Sequence, residues 1–217
     1  PYEWANKNKI MRNQQVFGLL TALWLLTGCS KPQTEVADYT FVLTPVDAIP
    51  QFELALSVRQ AYQAIPHQRT EYDATFSRVP APEKDYLTLM FPLIDQAIAV
   101  RVVTLQNFNN GQRSALGIDQ YAELIAFVAA IEPPLTLQAY HQDLQRSLQA
   151  QQAFFKDWRA KGSAFDHGGR ATGAHPQVQK ASGHLISAYN QLMQRFPNED
   201  SVNKSAFFDY HFALDFI

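Results

Sequence analysis

Two stretches of this 217-residue chain repeat their large residues in alternating steps of four and three, and that period constrains the fold most. Leu137, His141, Leu144, Leu148, Gln151, Phe155 and Trp158 form one seam, and Val178, Ser182, Leu185, Tyr189, Leu192 and Phe196 form a second. Such steps keep side chains on one face of an α-helix, whereas a strand would place every second residue on a face. A helix with one apolar stripe has to bury it against a neighbour, so each seam demands a partner helix.

The rest of the chain predicts more helices and no sheet. Pro45 to Ile65 reads as a first helix with an apolar stripe through Ala55, Leu56, Val58, Ala61, Tyr62 and Ile65, ended by Pro66. Glu83 to Phe108 reads as a long apolar helix, with Pro92 expected to kink it. Asp95 and Arg101 argue that this helix is a core element and not a membrane span. Asn109-Asn110-Gly111 marks a turn. Ile118 to Ile131 follows, capped by Asp119 or the residues just before it and stopped by Pro133-Pro134. Thr136 to Lys161 and Pro176 to Phe196 carry the two seams, and an aromatic helix runs from Ser201 or Asn203 to Ile217. No segment sustains strict alternation. The expectation is an all-α bundle of five or six helices, antiparallel where the loops are short, over residues 45–217 as a single domain.

The N-terminal stretch carries a different signal. Lys7, Lys9 and Arg12 precede the apolar run Val16 to Leu26, and Leu26-Thr27-Gly28-Cys29 follows with the only cysteine in the chain. Eleven helical residues span roughly 17 Å, about half of a hydrocarbon core, so the run suits a secretory signal better than a membrane span. The Leu-Thr-Gly-Cys tetrapeptide resembles the lipobox of bacterial lipoproteins. That resemblance implies that residues 1–28 are a signal peptide, with 1–10 an upstream extension before Met11. It further implies that Cys29 is diacylated as the first mature residue and that residues 29–44 tether the domain to the cell envelope. By the sorting habit of such lipoproteins, Ser30 favours the outer membrane, facing the periplasm, in a Gram-negative host.

Charge narrows the partners. The chain carries 18 Lys and Arg against 20 Asp and Glu, a net −2; removing residues 1–28 takes away three basic side chains and one acidic one. The acidic remainder argues against nucleic acid. With its single cysteine acylated, the mature domain has no intramolecular disulfide and is stabilised by packing.

Candidate chemistry is sparse. His141 and His184 lie on or beside the two seams, where facing histidines in a bundle core can bind a small ligand or metal. His167, Arg170 and His175 lie in or beside the glycine-rich stretch Gly162 to Ala174, where they offer ring nitrogens and a cation before a helix N-terminus. Their spacing matches no metal-ligand pattern. There is no Gly-x-Ser-x-Gly elbow or His-Glu-x-x-His pair. The C-terminal stripe Phe207, Tyr210, Leu214 and Ile217, widened by Phe208 and Phe212, reads either as a partner-docking helix or as a last core helix.

A shorter likeness lies in His184-Leu185-Ile186-Ser187-Ala188-Tyr189-Asn190-Gln191-Leu192-Met193, after Phe154-Phe155-Lys156-Asp157-Trp158. This is similar to the closing helices of uncharacterised helical lipoproteins of the YiiG-like kind. It implies fold and location, with no activity to carry over. The sequence therefore leads to a non-enzymatic envelope lipoprotein without a cofactor, held to the membrane through Cys29, that binds another protein or an envelope component. An immunity or inhibitor protein is one form of that expectation. The alternative is a tethered small-ligand or metal carrier using His141 and His184.

Overall fold

In the computed structural model, residues 48–65, 69–162 and 173–216 are described. The signal run, Cys29, the tether, His167 and Arg170 lie outside them. Among the described residues there are six α-helices and no strand: α1 Val58–Gln63, α2 Ala81–Asn109, α3 Leu116–Ala130, α4 Gln138–Lys161, α5 Pro176–Arg195 and α6 Ser201–Leu214. A 3₁₀ turn, Leu135–Leu137, leads into α4. The fold is an all-α bundle.

Local chemistry sets the helix ends. Ser57 and Gln60 form a reciprocal capping box: the Ser57 hydroxyl accepts from the Gln60 amide, and the Gln60 side chain accepts from the Ser57 amide. The helix expected from Pro45 therefore begins only at Val58. Residues 50–57 are irregular, and their apolar side chains Phe52, Leu54 and Leu56 pack on the core without helical bonds. α2 starts on Pro80-Ala81-Pro82, where the missing proline N–H is not needed. It runs through Pro92 to Asn109, and Gly111, with φ +79°, makes the turn that follows. α3 begins two residues earlier than expected and has no side-chain cap; Asp119 lies in its first turn, where a carboxylate suits the helix dipole. His175 and Asp200 cap α5 and α6 through the amides of Gln177 and Val202.

The contacts give the topology. Tyr86 meets His141 and Phe108 meets Phe155, so α2 and α4 run parallel. Phe91 meets Phe207 and Arg101 meets Ala213, which makes α6 parallel to α2. Asp143 meets Gln191 while Phe154 meets His175, so α5 is antiparallel to α4. α3 is likewise antiparallel to α4, with Ile118 against Gln152 and Ile131 near His141. The result is an up-and-down arrangement of five long helices, in which α2 packs against α1, α3 and α6. On composition α2 is long and apolar enough to cross a membrane, but its most apolar window is 78% buried inside the fold, which is the packing of a core helix.

Two features fix this packing. Gly117 stands tight against α2: a Cβ there would lie 2.0 Å from Thr104 Oγ1. At the end of α6, carbonyls without helical partners are met by buried side chains. Arg101 Nη2 donates to Ala213 O at 2.9 Å, and Gln151 Nε2 donates to Leu214 O at 2.8 Å. Tyr121 in turn donates to Gln151 Oε1 at 2.7 Å.

Candidate functional site

Pro92 supplies no N–H, so the carbonyl of Thr88 receives no helical bond from it. At this point in α2 a cleft of about 250 Å³ opens, walled by Tyr72, Phe91 and Tyr210 and lined by Arg69, Glu71 and Asp95. Asp95 is only 8% exposed. Its Oδ1 accepts from the Tyr62 hydroxyl at 2.9 Å and its Oδ2 from Arg69 Nη2 at 2.7 Å. Arg69 Nη1 reaches Glu71 at 2.7 Å, and the guanidinium lies 5.1 Å from the Tyr62 ring centre.

The electrostatics follow from burial. Loss of water raises the Asp95 carboxyl above the usual carboxylate range, against the opposing pull of Arg69 and Tyr62. Burial also disfavours the Arg69 charge, but Asp95 and the other groups around it overcome this and hold the proton more tightly. Burial, reinforced by Asp95, pushes the Tyr210 hydroxyl up to about 12. Both Asp95 oxygens are engaged, so this carboxylate fastens α1 and the segment starting at Arg69 onto α2. It is not poised to remove a proton from a substrate.

That segment is itself tightly held. The Asp73 amide donates to Asn203 Oδ1 at 2.8 Å, and Asn203 Nδ2 donates back to Asp73 O at 3.0 Å. The buried Glu199 carboxylate accepts from Ser77 Oγ and from the Arg78 amide. These hydrogen bonds, with others from Asn203 and the Asp200 amide, outweigh burial and keep Glu199 below its ordinary pKa. Asp73 Oδ1 closes the turn on the Thr75 amide. Phe76 projects from this fastened turn and is 74% exposed.

The histidines predicted from the seams occupy separate networks. His141, on α4, is 6% exposed, and its Nδ1 lies 3.0 Å from the Tyr86 hydroxyl. His184, on α5, meets Asp143 Oδ1 through Nδ1 at 2.8 Å. Asp143 Oδ2 accepts from Ser187 Oγ at 2.6 Å and from Gln191 Nε2 at 2.7 Å. Burial raises the Asp143 carboxyl, but the hydrogen bonds from Ser187 and His184 outweigh it and leave the pKa lowered. In a hydrolytic triad the histidine stands between acid and hydroxyl. Here the acid stands between histidine and hydroxyl, so His184 does not draw the Ser187 proton. His175 caps α5 through Nδ1 and places Nε2 3.6 Å from Asp157. The structure thus does not bring His141 and His184 into one site. Among the described residues no group of three or more His, Cys, Asp and Glu is arranged to hold a metal.

The C-terminal stripe divides. Phe207, Tyr210 and Leu214 are buried against the bundle, while Phe208 is 44% exposed and stacks on Phe212. The sequence reading missed the Asp95 cleft and Phe76. Pro92 three residues before Asp95, on an otherwise apolar helix, was the available signal for the cleft; Phe76 sits in a stretch without periodicity.

No model of a known protein family matches the chain, nor does any curated protein or solved structure.

Proposed function

We propose that the chain is a lipid-anchored envelope protein whose helical domain binds another protein or an envelope component without transforming it. The anchor is Cys29 within Leu26-Thr27-Gly28-Cys29. Two acyl chains, at about 0.8 kcal/mol per buried methylene, hold such a protein stably at a bilayer. An immunity or inhibitor protein acting on an incoming toxin or hydrolase is a specific form of this function. The acidic domain is not a nucleic-acid binder.

The observation that supports binding most is Phe76. A large aromatic side chain left 74% exposed forgoes burial, and here the turn carrying it is pinned through Asp73, Ser77 and Arg78. A rigid, solvent-facing aromatic costs little entropy when it enters a partner's pocket, which is how interface anchors work. The nearby polar groups have their protons and lone pairs engaged in holding the fold, which suits docking better than chemistry.

The test uses the lipidated chain in cells. With a photo-crosslinking residue at position 76, a single discrete adduct is expected, and unlabelled Phe76→Ala chain should compete poorly for it. Phe76→Ala should alter stability by less than about 0.5 kcal/mol, since the side chain is exposed. Absence of any adduct at 76 from correctly localised protein, or equal competition by Phe76→Ala, would overturn the binding assignment.

A further inference from the structure

A second cleft, of about 430 Å³, lies where α3 ends and α4 begins, lined by Ala129 to Pro133 together with Gln138, His141 and Gln142. His141 is the one deeply buried polar side chain in its wall, at 6% exposure. Its Nδ1 is taken by Tyr86; its Nε2 has no protein partner among the described residues and is not sealed in the core, so it is the ring nitrogen offered to the cleft.

The proton on that nitrogen can be placed by hydrogen-bond accounting. Tyr86 is fully buried, and burial raises its hydroxyl far above the ordinary phenol range, so it keeps its proton. Among the described residues the acceptor within reach of that proton is His141 Nδ1. A buried hydroxyl left undonated costs about 1–3 kcal/mol, so Tyr86 donates to Nδ1. Burial also keeps the imidazole neutral. His141 therefore carries its hydrogen on Nε2 and presents a fixed N–H donor to the cleft.

The same cleft is lined by Ala129 and Ala130, the last residues of α3, whose carbonyls lie past the final helical hydrogen bond. Exposed Gln138 and Gln142 add amides at the rim, and Ala129, Ala130, Ile131 and Pro133 add methyl and methylene surface. The neutral imidazole, the exposed Glu132 and the carbonyl end of a helix disfavour an anion. A donor and backbone acceptors lining one small, partly apolar cleft match a secondary amide with its acyl methyl group. We infer that the α3–α4 cleft binds a neutral ligand through a secondary amide, as carried by an N-acetylated sugar or by a peptide. Neither the lipid anchor nor Phe76 enters this assignment, so each stands or falls alone.

The experiment is ¹⁵N NMR of the histidine side chains in full-length Cys29→Ala protein, with N-acetylglucosamine and N-acetylalanine methylamide as separate probes. Without ligand, His141 is expected as the Nε2–H tautomer. One probe should shift its Nε2–H saturably with a Kd of about 1–10 mM, in the range typical of a single small group; which probe binds identifies glycan or peptide as the source. Tyr86→Phe should mix the tautomers and weaken binding several-fold. Gln142→Ala, which leaves the core intact, should weaken it two- to three-fold. An Nδ1–H tautomer in the unsubstituted domain, no saturable shift with either probe, or unchanged titration in both variants would overturn the assignment.

Discussion

Replacing Gly117 by alanine tests the packing of α3 on α2, because two effects oppose each other there. Alanine is favoured over glycine by about 1 kcal/mol in a helix interior and by less at Gly117, the second residue of α3. Against this, the new Cβ would stand 2.0 Å from Thr104 Oγ1, 2.8 Å from Cγ2 and 2.9 Å from Cβ. Turning Thr104 about χ1 moves the first two atoms but not the third, and a β-branched side chain has few helical rotamers. The strain thus falls on the α2–α3 spacing, and overpacking of this kind costs about 1–3 kcal/mol or more. Sterics should win, for a net destabilisation of about 1–2 kcal/mol after the propensity gain. Gly183, in α5, is the internal control, since nothing lies within 4 Å of its added Cβ. Gly183→Ala should stabilise by about 0.5–1 kcal/mol. Urea titration of lipid-free Cys29→Ala protein, followed by circular dichroism, reads both, and Thr104→Ala should recover part of the Gly117→Ala loss. A Gly117→Ala protein as stable as its parent would refute the close approach of α2 and α3.

Three further outcomes follow from buried polar groups. Burial lowers His211 from 6.5 to about 4, so the unfolded chain binds a proton between those values that the native state refuses. Stability should therefore fall by about 3 kcal/mol as pH drops through this window, and His211→Phe should flatten that part of the urea-midpoint profile. Gln151→Leu should cost about 2–3 kcal/mol because it strands the Tyr121 hydroxyl, while adding Tyr121→Phe should recover about half in a double-mutant cycle. Asp143→Asn should cost about 1–3 kcal/mol, and it should weaken acid stability below pH 4 less steeply than the parent, because the lowered Asp143 pKa contributes stability that is lost as the carboxylate protonates.

The sequence carries the bundle unevenly. The four-and-three seams place α4 and α5 within one or two residues, since those helices show one face to the core and one to water. The apolar stripe before α1 misleads: Ala55 and Leu56 have helical spacing, yet the Ser57–Gln60 box starts the helix after them. That box is readable as Ser-x-x-Gln, and it outweighs periodicity because it supplies hydrogen bonds that an apolar stripe does not. The clefts were hidden for another reason. Tyr62, Arg69, Asp95 and Tyr210 come from four separate segments, and Tyr86 reaches His141 across 55 positions. Their meeting is a product of the parallel course of α2, α4 and α6, which periodicity within one helix does not specify. His141 was visible as an unusual seam residue; that its partner is a buried tyrosine and not His184 was not.

The most direct test of the account is the intact mass and N-terminal residue of the protein extracted from cell membranes, beside its Cys29→Ala variant. The account predicts a mature chain beginning at Cys29, heavier than its polypeptide by a diacylglyceryl group and carried with the membrane, with the variant left soluble or unprocessed. A parent protein that retains residues before Cys29, or begins there without lipid, would contradict it.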